Sequence, residues 1–157
     1  MTETLKALRR ADFRYSLSYR TRWSDNDQYS HINNSIYYHL FDSIVNTYLI
    51  ESCGQKSLTI AFNWTGHLIM PCFMQFFAPL SFPEVLDLCL RVKKLGNSSV
   101  TYEIGVFQEG TDSPAAVGGY THVFVDRDSR KSTSMQTAIR EGLGKLLVEL
   151  RGVAQAA

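Results

Sequence analysis

Two carboxylates and an imidazole, Asp25, Asp27 and His31, stand within seven residues of one another, and two amides, Asn33 and Asn34, follow at once. A carboxylate beside a carbonyl can attack the carbon directly or take a proton from an attacking water. The oxygen of that carbonyl then gains negative charge, which the free N–H groups and dipole of a helix start are suited to stabilise. Asn33, Asn34 and Ser35 are helix-capping types immediately before an apolar periodic run, so the segment supplies both halves of such chemistry. An Asp, His and Asn-rich turn before a helix also arises from capping and loop hydrogen bonding alone. On that reading Asp25 holds the loop, His31 is a satisfied structural histidine, Asn33 and Asn34 are caps, and Tyr37 belongs to the core.

Spacing removes other chemistries. Asp25-x-Asp27 has Ser30 at the sixth position and Ile36 at the twelfth, where a calcium loop needs glycine and glutamate. A nucleotide-sugar transferase would need an α/β nucleotide-binding domain, and there is neither the length nor a Gly-rich loop. Cys53, Cys72 and Cys89 form no CxxC pair and have no histidine cluster suited to zinc, so they are expected to be reduced and mostly buried. No metal or redox cofactor is called for.

The elements that must position these residues are legible in turn. Tyr15 to Trp23 alternates strictly, with Tyr15, Leu17, Tyr19, Thr21 and Trp23 on one face, which predicts a half-exposed first strand. From Ser35 to about Glu51, Ile36, Tyr37, Leu40, Phe41, Ile44, Val45, Tyr48 and Leu49 form two adjacent rows, the mark of a long amphipathic helix. Gly54 lies just past its end, where a left-handed residue is cheap. Strands follow at about 65–77, 84–95, 98–108 and 115–126, with turns at Gly96-Asn97 and Gly110–Pro114, so the last three should form an antiparallel meander. A terminal helix is expected at about 134–150, weakened by Gly142 and Gly144. Phe73, Phe76 and Phe77 either line a pocket or fill the core, and most are read as core. The order implies an α+β fold: a strongly bent antiparallel sheet wrapped around one long helix, with an edge free to pair with a second copy.

The segment from Trp23 to Tyr37 resembles the signature D-x-D-x-x-G-H-V-N-N-x-x-Y of the 4-hydroxybenzoyl-CoA thioesterase-like branch of the hotdog superfamily. Leu95-Gly96-Asn97-Ser98-Ser99-Val100 also looks like that family's strand turn beside the CoA-binding groove. The resemblance implies a hotdog thioesterase that hydrolyses acyl-CoA or acyl-carrier thioesters. It places the catalytic aspartate on Asp27, the carbonyl-polarising N–H at about Asn34, and an auxiliary role on His31. Asn33, Tyr37, Lys93, Ser98 and Ser99 become the candidate substrate contacts, with Lys93 and Lys94 either beside the phosphates of CoA or pantetheine at a subunit edge or part of a solvated hairpin. Ser30 stands where the family usually has glycine. If that position is left-handed, serine costs about 1 kcal/mol there or reshapes the pocket. Hotdog hydratases use D-x-x-x-x-H, whereas His31 follows Asp27 by four positions, so dehydration is disfavoured. The alternative is a non-catalytic hotdog protein that binds acyl groups or serves as a structural partner.

The 157 residues fit one domain, with a hotdog core over about 13–126. Sixteen basic residues against fifteen acidic leave a net charge of +1, which provides no broad field for nucleic acid. The N-terminus lacks the apolar stretch of a secretory signal, and the longest apolar run, interrupted by Pro71, Gln75 and Pro79, is too short to span a membrane. The C-terminus lacks a serine-lysine-leucine type of ending. The expectation is therefore a cytoplasmic homodimer or homotetramer acting on a thioester, with a mitochondrial location as the other possibility.

Overall fold

A computed structural model of the protein describes residues 4–54, 67–126 and 128–149, and the side chains of these except within 67–72. Five strands, β1 (Tyr15–Arg20), β2 (His67–Phe76), β3 (Val85–Leu95), β4 (Ser99–Gln108) and β5 (Ala116–Phe124), form one antiparallel sheet in the order β1-β3-β4-β5-β2. The long helix α1 (Asn34–Ser52) lies against one face, and a short helix, α2 (Thr137–Gly144), follows the sheet. This is the hotdog arrangement that the sequence predicts, including the β3-β4-β5 meander.

The helix forms where its sequence signals it. Asn33 stays extended at φ −60°, ψ 136°, and its side chain accepts hydrogen bonds from Ser35 N–H at 3.0 Å and Ser35 Oγ–H at 2.8 Å. Tyr37, Leu40, Phe41, Ile44, Val45, Tyr48 and Leu49 are all buried. They meet Leu86, Leu88, Leu90 and Val92 of β3 and Val100, Tyr102, Ile104 and Val106 of β4 in one core. Gly54, past the helix end, has φ +69°, a conformation in which glycine carries no Cβ penalty.

The opposite face of the sheet carries a second, smaller core of Leu8, Phe13, Cys89, Phe107 and Val117. Residues 4–14 cross that face. The Arg10 guanidinium fastens them, donating to Asp87 Oδ2, to Thr111 O at 2.6 Å and to Gln108 O at 2.8 Å. Cys53 and Cys89 are free and buried, and burial pushes each thiol up to about 11. The side chain of Cys72 lies outside the described residues.

Three expectations need correction. The first strand ends at Arg20, because Thr21 turns to bond Glu84: its N–H reaches Glu84 O at 2.9 Å and its hydroxyl accepts from Glu84 N–H at 2.8 Å. Trp23 consequently leaves the inward face and is 78% exposed. The terminal helix stops at Gly144 rather than near 150, since Leu146 and Val148 pair instead with the backbone of Val92 at 2.9 and 3.0 Å. Ladder bonds to β3, beyond the end of β1, replace the helical ones. Phe73 and Phe76 are not core: they are 39% and 46% exposed, on the outermost strand β2.

Candidate functional site

The loop between β1 and α1 is built from its own polar side chains. Asp25 is fully buried and accepts hydrogen bonds from Tyr19 O–H at 2.7 Å, Arg22 N–H at 2.8 Å and the Arg22 guanidinium at 3.1 and 3.3 Å. Burial alone would raise its carboxyl. The Arg22 N–H, the Tyr19 hydroxyl and the Arg22 guanidinium together outweigh this and hold it below the usual carboxylate range. Its carbonyl accepts from Asn33 N–H at 2.8 Å, which fixes the residue before the helix. Asp25 thus anchors the loop.

Asp27 closes the tip. Its Oδ1 accepts from Tyr29 N–H at 2.8 Å and His31 N–H at 3.3 Å, and its N–H donates to His31 O at 2.7 Å. Among the described residues Oδ2 takes no hydrogen bond. The tip requires a left-handed residue, and Ser30 supplies it at φ 62°. The position where the resembled family has glycine is therefore left-handed, and serine carries a Cβ there. The Ser30 carbonyl is tied to Ser81 Oγ at 2.7 Å, while Ile32 N–H bonds Leu80 O at 2.8 Å and Phe82 N–H bonds Asn26 Oδ1 at 3.0 Å. The segment from Phe77 to Glu84 straps the loop to the start of β3.

At the helix start a cavity of about 330 Å³ opens between His31, Asn34, Tyr37 and the strap residues Phe76–Leu80. Asn33 caps Ser35, and among the described residues no acceptor takes the Asn34 N–H. An N–H without an acceptor at the positive end of a nineteen-residue helix, on a residue that lines a cavity, is suited to a carbonyl oxygen that gains charge. Tyr37, 2% exposed, forms the floor, with Phe76 edge-on to its ring at 5.0 Å. Its hydroxyl is pushed up to about 12 by burial, with the Glu84 carboxylate adding to the effect.

His31, Asn34 and Tyr37 thus meet on one cavity, with Asn33 as the cap beside them. Asp27 is not on the cavity wall itself and reaches it through its bonds to His31. Lys93, Ser98 and Ser99 lie elsewhere: the loop is fastened at the Glu84 end of β3, and Lys93 is eight residues on from Val85, roughly 26 Å along an extended strand. Lys93 also reaches the buried Glu103 at 3.4 Å, a carboxylate that Arg91 Nε holds at 2.7 Å. The turn carrying Ser98 is covered by residues 134–140, with Met135 N–H on Asn97 O at 3.0 Å and Asn97 Nδ2 on Ser134 Oγ at 3.1 Å.

One residue the sequence did not single out is Glu84. Its Oε2 is buried without a partner among the described residues, and its charge acts on Tyr37 at the cavity floor. No local motif marks it; only closure of the strap brings it there. Among the described residues there is no group of histidine, cysteine and carboxylate side chains that could hold a metal, and no helix is long and apolar enough to cross a membrane.

Residues 21–143 match the model of the Thioesterase-like superfamily. The curated proteins contain no match. Among solved structures, the PA5185 protein from Pseudomonas aeruginosa is 39% identical, covering 89% of this chain and 96% of its own, with a TM-score of 0.83. Slr0204, a 1,4-dihydroxy-2-naphthoyl-CoA thioesterase from Synechocystis, superposes with a TM-score of 0.76 at 14% identity, over 84% of this chain and 96% of that one. BH1999, a gentisyl-coenzyme A thioesterase, gives 0.72 at 19% identity, over 82% and 99%. The last two likenesses bear on the fold alone.

Proposed function

The chain belongs to the thioesterase-like superfamily, and from that premise we propose that it hydrolyses acyl-CoA or acyl-carrier thioesters to free acid and thiol. The observation that carries the reading is Asn34 at the start of α1, whose N–H has no acceptor among the described residues and which lines a cavity walled by His31, Tyr37 and the strap. A thioester carbonyl seated there has its oxygen against the helix start, where developing charge is stabilised. Asp27 then acts as nucleophile, through the oxygen its loop leaves unbonded, or as general base on a water. His31 is auxiliary: it fixes Asp27 through its backbone and lines the cavity. Asn33 aims the N–H groups, and Tyr37 shapes the acyl end.

The proposal takes 1–157 as one hotdog thioesterase domain that works as a homodimer or homotetramer in the cytoplasm. The outer position of β2, with Phe73 exposed and the exposed Phe76 on the cavity wall, supports pairing of two copies. Lys93, Ser98 and Ser99 would meet substrate only when offered by a second copy. The test is thiol release from a panel of aryl- and fatty-acyl-CoA thioesters by wild type and Asp27→Asn. A loss of about a hundredfold or more in kcat/KM in a folded variant is expected. Equal activity in the two would move the chemistry off Asp27, and binding without turnover on every thioester would leave an acyl-binding protein.

A further inference from the structure

A second cavity, of about 520 Å³, lies on the other side of the strap. Phe77–Leu80 line both cavities, and the second is closed by Lys6 and Arg9 of the N-terminal segment and by Thr111 and Ser113 of the β4–β5 loop. Among the described residues the cavity at the helix start has no lysine or arginine in its wall, whereas the second has two cations and no carboxylate. The acidic groups nearby are already engaged: Asp112 Oδ1 accepts from Arg10 N–H at 3.0 Å, Asp87 pairs with the Arg10 guanidinium, and Asp12 accepts from Arg9 N–H at 2.7 Å. Lys6 forms no ion pair among the described residues. Arg9 is held in place by Nη1, which donates to the carbonyls of Ala7 at 3.0 Å and Leu8 at 2.9 Å. Among the described residues its Nε and Nη2 have no acceptor.

We propose that this cavity binds the phosphate of the substrate's phosphopantetheine arm, with Lys6 and Arg9 as its counter-ions. The inference rests on the thioesterase reading for where the thioester sits. The thiol half of such a substrate ends in a phosphate whether the carrier is CoA or a protein, and a phosphate needs cationic donors that the thioester cavity does not supply. Lys93 is committed to Glu103, and both Lys93 and the exposed Lys94 lie at the far end of β3 in the same chain. The strap then has the thioester on one face and the phosphate on the other, with the arm passing over Phe77–Leu80.

The experiment compares one acyl group on CoA, on phosphopantetheine and on N-acetylcysteamine, which carries no phosphate, in wild type, Lys6→Glu and Lys93→Ala. Lys6 is exposed, so its replacement leaves the fold intact. Lys6→Glu is expected to raise KM about tenfold for the two phosphorylated thioesters and not for the third, with kcat held, because the contact binds ground state and transition state alike. Equal effects on all three substrates, an effect confined to CoA, or an effect of Lys93→Ala in place of Lys6→Glu would each overturn the assignment. If wild type cleaves none of the three, calorimetric titration with phosphopantetheine separates the two claims. Binding that Lys6→Glu abolishes upholds the site while the thioesterase reading falls; absence of binding sinks the site as well.

Discussion

Asp27 and His31 close the β1–α1 loop on each other twice: the Asp27 N–H donates to the His31 carbonyl at 2.7 Å, and the His31 N–H returns to Asp27 Oδ1 at 3.3 Å. The same carboxylate oxygen also accepts from Tyr29 N–H at 2.8 Å. One oxygen of Asp27 therefore builds the loop, and the other takes no hydrogen bond among the described residues.

This division predicts a difference between two substitutions. Asp27→Asn keeps an acceptor at Oδ1, so its unfolding free energy should stay within about 0.5 kcal/mol of wild type. Asp27→Ala removes the acceptor of two backbone N–H groups and should cost about 1–2 kcal/mol. Urea unfolding of both variants checks this. A large loss in the asparagine variant would mean that the charge itself holds the loop.

Asp25 makes the stability of the protein dependent on acid. Its folded pKa is lowered, so its contribution is present above the unfolded carboxylate value of about 3.9 and is lost as pH falls through the folded value. Asp25→Asn places an amide against Tyr19 O–H, Arg22 N–H and the Arg22 guanidinium and should destabilise by about 1–3 kcal/mol at neutral pH. The gap between wild type and variant should narrow as pH is taken below about 4. Urea midpoints across pH 3–7 measure it, and a gap that stays constant refutes the assignment.

Ser30 carries a Cβ in a left-handed turn at φ 62°. Its carbonyl bond from Ser81 Oγ is a backbone contact that glycine preserves. Ser30→Gly should accordingly stabilise the protein by about 0.5–1 kcal/mol, the relief of the Cβ less the greater freedom of the unfolded chain. A thermal midpoint at or below that of wild type would show that the serine hydroxyl compensates for its strain.

How much of this was legible in advance follows from how local each signal is. The Asn33 cap, the buried face of α1 and the β3-β4-β5 meander depend on spacing and turn chemistry within a few residues, and the structure has them where the sequence predicts. The left-handed residue at Ser30 was legible through the resemblance, as a departure from glycine. Exposure of Trp23, the Glu84 oxygen that has no partner among the described residues and the cavity behind the strap depend on Thr21 meeting Glu84 across 63 positions of sequence. No periodicity carries information of that kind.

The early end of α2 shows the same non-local control and yields the last prediction. A Cβ added at Gly142 would stand 2.3 Å from Cys53 Sγ and 3.2 Å from Ser52 O, so this glycine is what lets α2 lie against the end of α1. Its carbonyl accepts the buried Tyr48 hydroxyl at 2.6 Å, which fixes the approach and leaves the helix no room to withdraw. Gly142→Ala raises intrinsic helix propensity by about 1 kcal/mol, yet overpacking at this contact costs about 1–3 kcal/mol. The clash should win and the variant should be less stable. Because the atom in the way is mainly the thiol, adding Cys53→Ala should recover part of the loss, a coupling that a double-mutant cycle by urea unfolding reads directly. Additive effects would place the strain at the Ser52 carbonyl instead, and a more stable single variant would mean that α2 does not need the close approach at all.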